Sequence, residues 1–355
     1  MKKVIILTIV ACAVIALAYT QRATFAEQIL ARALPARLSA DTAADQVDGL
    51  HVVLCGAGGP MPAPNASGPC VLVTAGKQTF VIDAGTDGAR NINRMGFQVG
   101  NIDAVFLTHF HSDHIDGLGE LATLRWAAGN SDTPLPVYGP VGVERVVNGF
   151  NEAYGQDFVY RHTHHGDSVA PLGAAGLSAV SFEPPAMGAL TTVYAQGDLT
   201  VTALLVDHAP VAPAVGYKFS YRGRTVLISG DTAQSANITT LADKVDLLVH
   251  EALAPNLLRM MNAAAEQAGN TNLATIAMDV LDYHASPKDA AETARDANVG
   301  HLLYYHIVPP LLVPGQEALW LDGADKIFEH YTLGRDGTSF SLPAYSDAII
   351  ESERL

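Results

Sequence analysis

Residues 104–114 read Ala-Val-Phe-Leu-Thr-His-Phe-His-Ser-Asp-His, an apolar run that passes directly into three histidines and an aspartate. Imidazole nitrogens and carboxylate oxygens are the ligands that zinc-like divalent ions take. Alternation along the turn sends His109 and His111 one way and Asp113 and His114 the other, so the spacing suits two adjacent ions. A histidine-rich surface loop without function is the alternative, but the apolar strand leading into the motif argues against it.

Further metal ligands are needed, because one turn cannot saturate two ions. Three other apolar, β-rich runs end in residues of ligand type: residues 200–206 before Asp207-His208, residues 225–229 before Gly230-Asp231, and residues 301–305 before His306. Active sites are often built where strands end at one rim of an open sheet. The pattern therefore predicts that His208, Asp231 and His306 complete the site.

These motifs resemble those of the metallo-β-lactamase fold hydrolases, within them the branch of ribonuclease Z and the zinc arylsulfatases. The resemblance covers residues from about 50 to 345 and also rests on Leu54–Pro60, Phe80–Gly85, Gly216–Lys218, Ser229–Thr232, Val249–Ala252, Tyr283–Ser286 and Tyr305–Ile307. It implies an α/β fold, the four-layer αββα sandwich. It also implies that His109, His111 and His208 hold one ion, that Asp113, His114 and His306 hold the other, and that Asp231 bridges them.

Two such dications lower the pKa of a bridging water and supply a hydroxide as the nucleophile. They also stabilise negative charge on a phosphoryl or sulfuryl oxygen, so we expect a small anionic ester as substrate. We count Asp113 among the catalytic residues. Zinc is the favoured cofactor, with manganese and iron(II) as alternatives because they share these ligands.

A proton donor for the leaving group is predicted at His284, within Tyr283-His284-Ala285-Ser286-Pro287. His284 matches the position of the proton-donating histidine in the ribonuclease Z branch, and Glu251 matches the glutamate that orients it. A carboxylate behind an imidazole keeps the ring protonated and aimed. The alternative is that His284 flanks a helix and that Glu251 is a surface carboxylate.

Two departures from the branch argue against long nucleic acid as a partner. Ribonuclease Z enzymes of the bacterial type carry a long RNA-gripping arm between the third metal-binding histidine and the bridging aspartate, whereas His208 and Asp231 lie 23 positions apart. Residues 62–67 also lack the basic loop of such enzymes, and the net charge is -15. Since phosphate backbones are bound through clustered cations, we predict that long RNA is not a substrate.

The N-terminus favours export. Lys2-Lys3 precede an apolar stretch that ends in Ala16-Leu17-Ala18, so residues 1–18 are predicted to be a signal peptide, with an uncleaved anchor or lipidation at Cys12 as alternatives. Residues 19–48 are predicted to be a helical segment that packs on the domain, forms a homodimer or rests on the membrane. Residues 49–355 form the hydrolase domain. The expected location is periplasmic, or tethered to the membrane facing outward.

Cys55 and Cys70 remain after signal removal, and the sequence fits a disulfide and two buried thiols equally well. Residues 130–195 and 257–282 are predicted insertions near the metals. The first contains His162, His164 and His165, which we interpret as a solvated turn, and the second is a helical stretch and the better candidate for a lid.

The sequence as a whole predicts an exported dinuclear zinc hydrolase of phosphodiester or aryl sulfate esters. The alternatives are a ribonuclease Z-type endoribonuclease, a lactonase or other carbonyl ester hydrolase, and a non-catalytic binding protein of the same fold. No nucleophile elbow, phosphate loop or dinucleotide motif competes with the metal site.

Overall fold

The computed structural model of the protein describes residues 2–129 and 131–355. Met1 and Asn130, which begin the predicted signal peptide and the first predicted insertion, lie outside the described residues. The chain divides into two compact units, one ending at Thr42 and the other beginning at Ala43. The first unit contains helices α1 (Lys2–Thr20) and α2 (Arg22–Ser39). Among the described residues, no helix combines the length and the apolar character needed to cross a membrane.

The second unit alternates strands and helices. Its helices are α3 (Gly88–Arg94), α4 (Ser112–Ile115), α5 (Leu118–Ala127), α6 (Val143–His165), α7 (Ala236–Leu241), α8 (Pro255–Gln267), α9 (Thr271–Asp279), α10 (Pro287–Asp296) and α11 (Gln316–Leu321). Its strands are β1 (Gly49–Gly56), β2 (Cys70–Ala75), β3 (Gln78–Ile82), β4 (Ala104–Phe106), β5 (Leu135–Pro140), β6 (Leu177–Phe182), β7 (Leu190–Gln196), β8 (Leu199–Leu205), β9 (Val215–Tyr221), β10 (Arg224–Ile228), β11 (Leu247–Leu253), β12 (His301–Val308), β13 (Tyr331–Leu333), β14 (Thr338–Pro343) and β15 (Ile350–Glu353).

The strands form two sheets within the described part of the chain. One has the order β15-β14-β1-β2-β3-β4-β5-β6 and the other β13-β12-β11-β10-β9-β8-β7. Between the sheets lies an apolar layer in which the rings of Phe80, Phe106 and Phe219 meet edge to face or tilted. Strand β1 shows how the sequence produces this layer. Successive side chains of a strand point to opposite faces, so Leu50, Val52 and Leu54 all point into the layer.

Helices cover the outer face of each sheet. α3 and α5 pack on the first sheet through a core that also takes Val53 of β1. α7, α10 and α11 pack on the second sheet, where Trp320 is fully buried. The result is an αββα sandwich, which confirms the fold class predicted from the sequence.

Parallel strand directions bring the predicted site residues to one edge of the sandwich. β3, β4 and β5 run parallel in the first sheet, and β10, β11 and β12 run parallel in the second. β8 shares the direction of β10, because both are antiparallel to β9. The segments that follow β4, β8 and β10 therefore meet where the carboxyl ends of these strands converge.

The end of β12 differs from the prediction. The sequence indicated a strand that stops at Tyr305 with His306 just beyond it, but β12 continues to Val308. Its pairing with β11 skips His306, since Glu251 pairs with Tyr305 and the next residue of β11 pairs with Ile307. His306 is therefore an extra residue in a β-bulge, with a left-handed φ of 47°. A bulge re-aims one side chain without ending the strand.

The structure joins Cys55 to Cys70 in a disulfide, which decides between the two alternatives that the sequence left open. Cys55 lies at a register irregularity near the end of β1, and Cys70 begins β2. Both are buried. The bond therefore closes the loop of residues 57–69 at its base.

Candidate metal centre

Seven residues predicted as metal ligands come together in two groups at this edge. His109, His111, His208 and Asp231 form one group, and Asp113, His114 and His306 form the other; within each group the candidate ligand atoms lie within 4.8 Å of one another. The other six residues divide between the groups as the resemblance implied for two ion sites, and Asp231, which the resemblance made a bridge, lies in the first group.

Asp231 lies at the centre of both groups. Its Oδ2 atom is 3.3 Å from Nε2 of His114, 3.4 Å from Nε2 of His306 and 3.8 Å from Nε2 of His109. Burial alone would raise the pKa of Asp231, but His114 and His306 lower it well below its ordinary value. The carboxylate is therefore held as an anion between imidazoles from both groups.

Buried polar atoms without hydrogen-bond partners mark the space between these residues. They include Nε2 of His109, Nε2 of His114, both ring nitrogens of His306, Oδ2 of Asp113 and Oδ1 of Asp231. Buried polar groups nearly always have hydrogen-bond partners. A cluster of buried nitrogen and oxygen atoms that lack such partners therefore indicates a binding site. Nitrogen and oxygen atoms on facing side chains fit divalent metal ions.

Asp83 organises the histidine turn from the end of the neighbouring strand β3. Its carboxylate accepts hydrogen bonds from Nδ1 of His114 at 2.8 Å and from both the backbone N–H and the hydroxyl of Thr108 at 2.8 Å. Asp83 has a left-handed φ of 55°, a conformation that is sparsely populated outside glycine and clusters at functional sites. A carboxylate behind a ligand histidine fixes its tautomer and leaves the other nitrogen free for metal.

Neither Asp83 nor the carbonyl of Tyr283 was given a role from the sequence. That carbonyl accepts a hydrogen bond from Nδ1 of His208 at 2.9 Å, which turns Nε2 towards Asp231. Asp83 lies directly after an apolar strand, as the ligands do, and within the Phe80–Gly85 motif of the family resemblance, but neither signal gave it a role. A backbone carbonyl leaves no signal in the sequence.

His284 and Glu251 meet as predicted beside the metal-ligand groups. Nδ1 of His284 donates to Oε1 of Glu251 at 2.8 Å, and the same oxygen accepts from the backbone N–H of Thr232 at 3.1 Å. Burial opposes protonation of His284, but the Glu251 carboxylate outweighs it and raises the pKa of His284 to about 9. His284 also forms the third corner of a possible ligand group with Asp231 and His306, so it faces the centre of the site.

A cavity of about 510 Å³ opens onto the site. His111, Asp113, Asp231, His284 and His306 form its polar floor. Its apolar wall comes from α8, α9 and the following turn, through Leu258, Met261, Leu273, Ile276, Ala277 and Val280. Residues 257–282, predicted as a helical lid, are thus helical and line the cavity beside His284.

The histidines of the first insertion lie elsewhere. His162, His164 and His165 are at the carboxyl end of α6, and Nδ1 of His162 donates to the carbonyl of Ala170 at 2.9 Å. They belong to neither ligand group.

Comparison with known proteins agrees with this geometry. Residues 64–280 match the family described as the metallo-beta-lactamase superfamily. A ribonuclease Z of Mycobacterium sp. (strain KMS) is 35% identical, over 76% of this chain and 88% of its own length. The chain belongs to the metallo-β-lactamase superfamily. It is accordingly a metal-dependent hydrolase of that superfamily, whose fold typically binds divalent metal ions.

Solved structures show the same superfamily fold at low sequence identity. The metallo-beta-lactamase fold protein YhfI from Bacillus subtilis aligns with a TM-score of 0.58 and 21% identity, over 83% of this chain and 100% of that one. The short form of human tRNase Z aligns with a TM-score of 0.55 and 21% identity, over 82% of this chain and 99% of that one.

The prediction that long nucleic acid is not a partner is contradicted by these superfamily relatives. The relative that is 35% identical is a ribonuclease Z, and the human structure is a tRNase. The prediction relied on the short spacing between His208 and Asp231, on the absence of Lys and Arg from residues 62–67, and on the net charge of -15, which sums the whole sequence. That sum says little about the few positions where a phosphate meets the site, so it was too coarse a measure to exclude RNA.

Replacing Asp83 with Ala should weaken metal binding, because Nδ1 of His114 loses its acceptor. Loss of such a partner typically costs about 10- to 100-fold in metal affinity. Metal content at equilibrium with a competing chelator measures this. Asp103→Ala is the control, since Asp103 accepts a backbone hydrogen bond from Thr79 away from the site. Unchanged metal affinity in Asp83→Ala would show that Asp83 does not position the ligand.

Proposed function

We propose that the protein is a metal-dependent phosphodiesterase of the ribonuclease Z type that acts on RNA. The observation that carries the proposal is the His284–Glu251 pair, in which His284 lies beside the Asp231-centred ligand groups and lines the same cavity. A proton donor opposite a metal site is suited to esters whose leaving group is a poor one, such as an alcohol. The similarity to ribonuclease Z supports the same reaction class.

In this proposal His109, His111, His208 and Asp231 would hold one metal ion, and Asp113, His114 and His306 would hold the other. We propose zinc, since it favours histidine and carboxylate ligands. When bound, such ions polarise a phosphoryl oxygen and lower the pKa of a water molecule. Asp83, Thr108 and the Tyr283 carbonyl orient three of these histidines through hydrogen bonds.

His284 carries the proton for the leaving oxygen on its Nε2 atom, because Nδ1 is engaged with Glu251. Glu251 Oε1 fixes the ring and stabilises its charged form. The same oxygen accepts from the N–H of Thr232, the residue after Asp231, so one carboxylate orients both the proton donor and the backbone next to the central aspartate. Glu251 thus both orients the His284 ring and stabilises its protonated form.

The cavity determines where the leaving group lies. His284 is in its floor, so the leaving oxygen must enter it, and the apolar wall of α8 and α9 contacts the attached group. None of the residues that line it is Lys or Arg. An aromatic or otherwise uncharged group, such as a nucleoside, therefore fits better there than a further phosphate.

The full-length protein, supplied with zinc, should cleave a single-stranded RNA oligonucleotide and bis-p-nitrophenyl phosphate, and a chelator should abolish both activities. Asp231→Ala should lose metal and turnover together, since its carboxylate belongs to one ligand group and lies 3.3 Å from Nε2 of His114 and 3.4 Å from Nε2 of His306 in the other. p-Nitrophenyl sulfate serves as the competing substrate. Cleavage of the sulfate alone, or of neither phosphodiester with metal bound, would overturn the proposal.

His284→Ala should keep its metal but lose about 10²- to 10⁴-fold in kcat on RNA, where the leaving alcohol needs a proton. The loss should be smaller on bis-p-nitrophenyl phosphate, because nitrophenolate leaves without protonation. His165→Ala, an exposed histidine outside the site, is the matched control. Equal losses on both substrates would remove His284 from the role of proton donor.

We also propose that residues 1–18 direct export. The Cys55–Cys70 disulfide supports this, since disulfides persist mainly in oxidising compartments. After expression in a bacterium, the full-length chain should fractionate outside the cytoplasm with both cysteines protected from alkylation. The chain lacking residues 1–18 should stay in the cytoplasm. Equal cytoplasmic distribution of the two chains would contradict the proposal.

A further inference from the structure

Tyr283 lies in the cavity beside the proton donor, and its side chain belongs to neither metal-ligand group. Its backbone carbonyl accepts the hydrogen bond from Nδ1 of His208, which fixes this point of the chain. The residue is half-buried and lines the cavity, so part of its side chain is open to whatever occupies that space. Tyr283 is therefore held by its backbone while its side chain stays accessible.

The ring of Tyr283 extends a series of ring contacts that begins at the metal-ligand groups. The rings of His306 and His284 stack with their centroids 5.6 Å apart, and the rings of His284 and Tyr283 follow at 4.7 Å. His208 meets Tyr283 edge to face at 4.8 Å. An oxygen that takes a proton from His284 comes within hydrogen-bond distance of that imidazole. The group attached to this oxygen therefore shares the cavity with Tyr283.

The other walls of the cavity offer no comparable surface. Among the described residues that line it, Tyr283 alone carries a phenyl or indole ring. The wall from α8 and α9 consists of aliphatic and thioether side chains such as Leu258, Met261 and Ile276. Nucleobases that bind without sequence preference stack on aromatic side chains, because every base has a π-face. The phenol ring of Tyr283 is the surface in this cavity that is suited to such stacking.

We propose that Tyr283 binds the base of the leaving nucleoside by stacking its ring on that base. This inference rests on the proposed function and names the contact by which the cavity recognises its substrate. Stacking discriminates a nucleoside from an aliphatic alcohol but discriminates little among the bases. The protein should therefore prefer an RNA whose leaving nucleoside carries a base, whichever base it is.

Base preference measures this contact. It is the ratio of kcat/KM for one bond of a short oligouridylate to kcat/KM for the same bond in an analogue whose leaving nucleoside lacks the base. The end groups of the wild-type products identify the leaving nucleoside. Tyr283→Leu should lower the ratio about tenfold, since stacking of one base on one aromatic ring contributes on that scale. Tyr283→Phe keeps the ring and should restore most of the ratio.

The competing explanation is that the Tyr283 side chain only holds His284, because the two rings are in contact. Loss of such support would slow both substrates equally, and the unchanged ratio would overturn the stacking contact. A ratio that falls in Tyr283→Leu and is not restored in Tyr283→Phe would overturn it as well. Tyr160→Leu is the matched control and should keep the wild-type ratio, since Tyr160 is exposed on α6 and does not line the cavity.

The outcomes separate the stacking contact from the proposed function. If the wild-type protein does not cleave RNA, the proposed function fails and this inference fails with it. If it cleaves RNA but Tyr283→Leu keeps the wild-type base preference, the stacking contact is wrong while the function stands.

Discussion

The buried carboxylate of Asp231 is the constraint on which this structure depends. A carboxylate removed from water is costly unless cations or hydrogen-bond donors surround it. Imidazoles from the segments after β4 and β8 and from β12 itself provide that surrounding, so both sheets of the sandwich contribute. These imidazoles can surround Asp231 only when the two sheets are packed correctly against each other. The metal centre therefore depends on the packing of the sheets.

The directions of the strands explain how these ligands come together. Strands that run in the same direction bring the residues that follow them to the same edge, and the segments after β4, β8 and β10 supply ligand-type side chains there. His306 reaches the site through a β-bulge, because β12 continues past it. The bulge at His306 turns one imidazole towards Asp231 while Ile307 and Val308 remain paired with β11. A strand can thus support the core and the site at once.

The ligand residues could be predicted from the sequence because their signals are local: an apolar run followed within a few residues by histidine or aspartate. The sandwich fold and the division of the ligands into two groups came from the resemblance to the metallo-β-lactamase fold hydrolases. Asp83 could not be given its role, because its contact with His114 spans 31 positions and exists only once β3 and β4 lie side by side. The bulge was missed because an apolar run looks the same whether it ends at Tyr305 or continues. The exclusion of RNA failed because a net charge summed over the sequence does not describe the charge at one site.

The helices that line the cavity occupy a particular place in the chain. α8, α9 and the following turn lie between Glu251, at the end of β11, and His284, just before α10. The two ends of this segment are tied together by the hydrogen bond between those side chains and by a second one from Leu253 N–H to the carbonyl of Ala285. The segment is therefore a closed loop with fixed ends, and its interior can vary in length and sequence while the chemistry at its base stays in place. Substrate range and reaction type can evolve independently in such a chain.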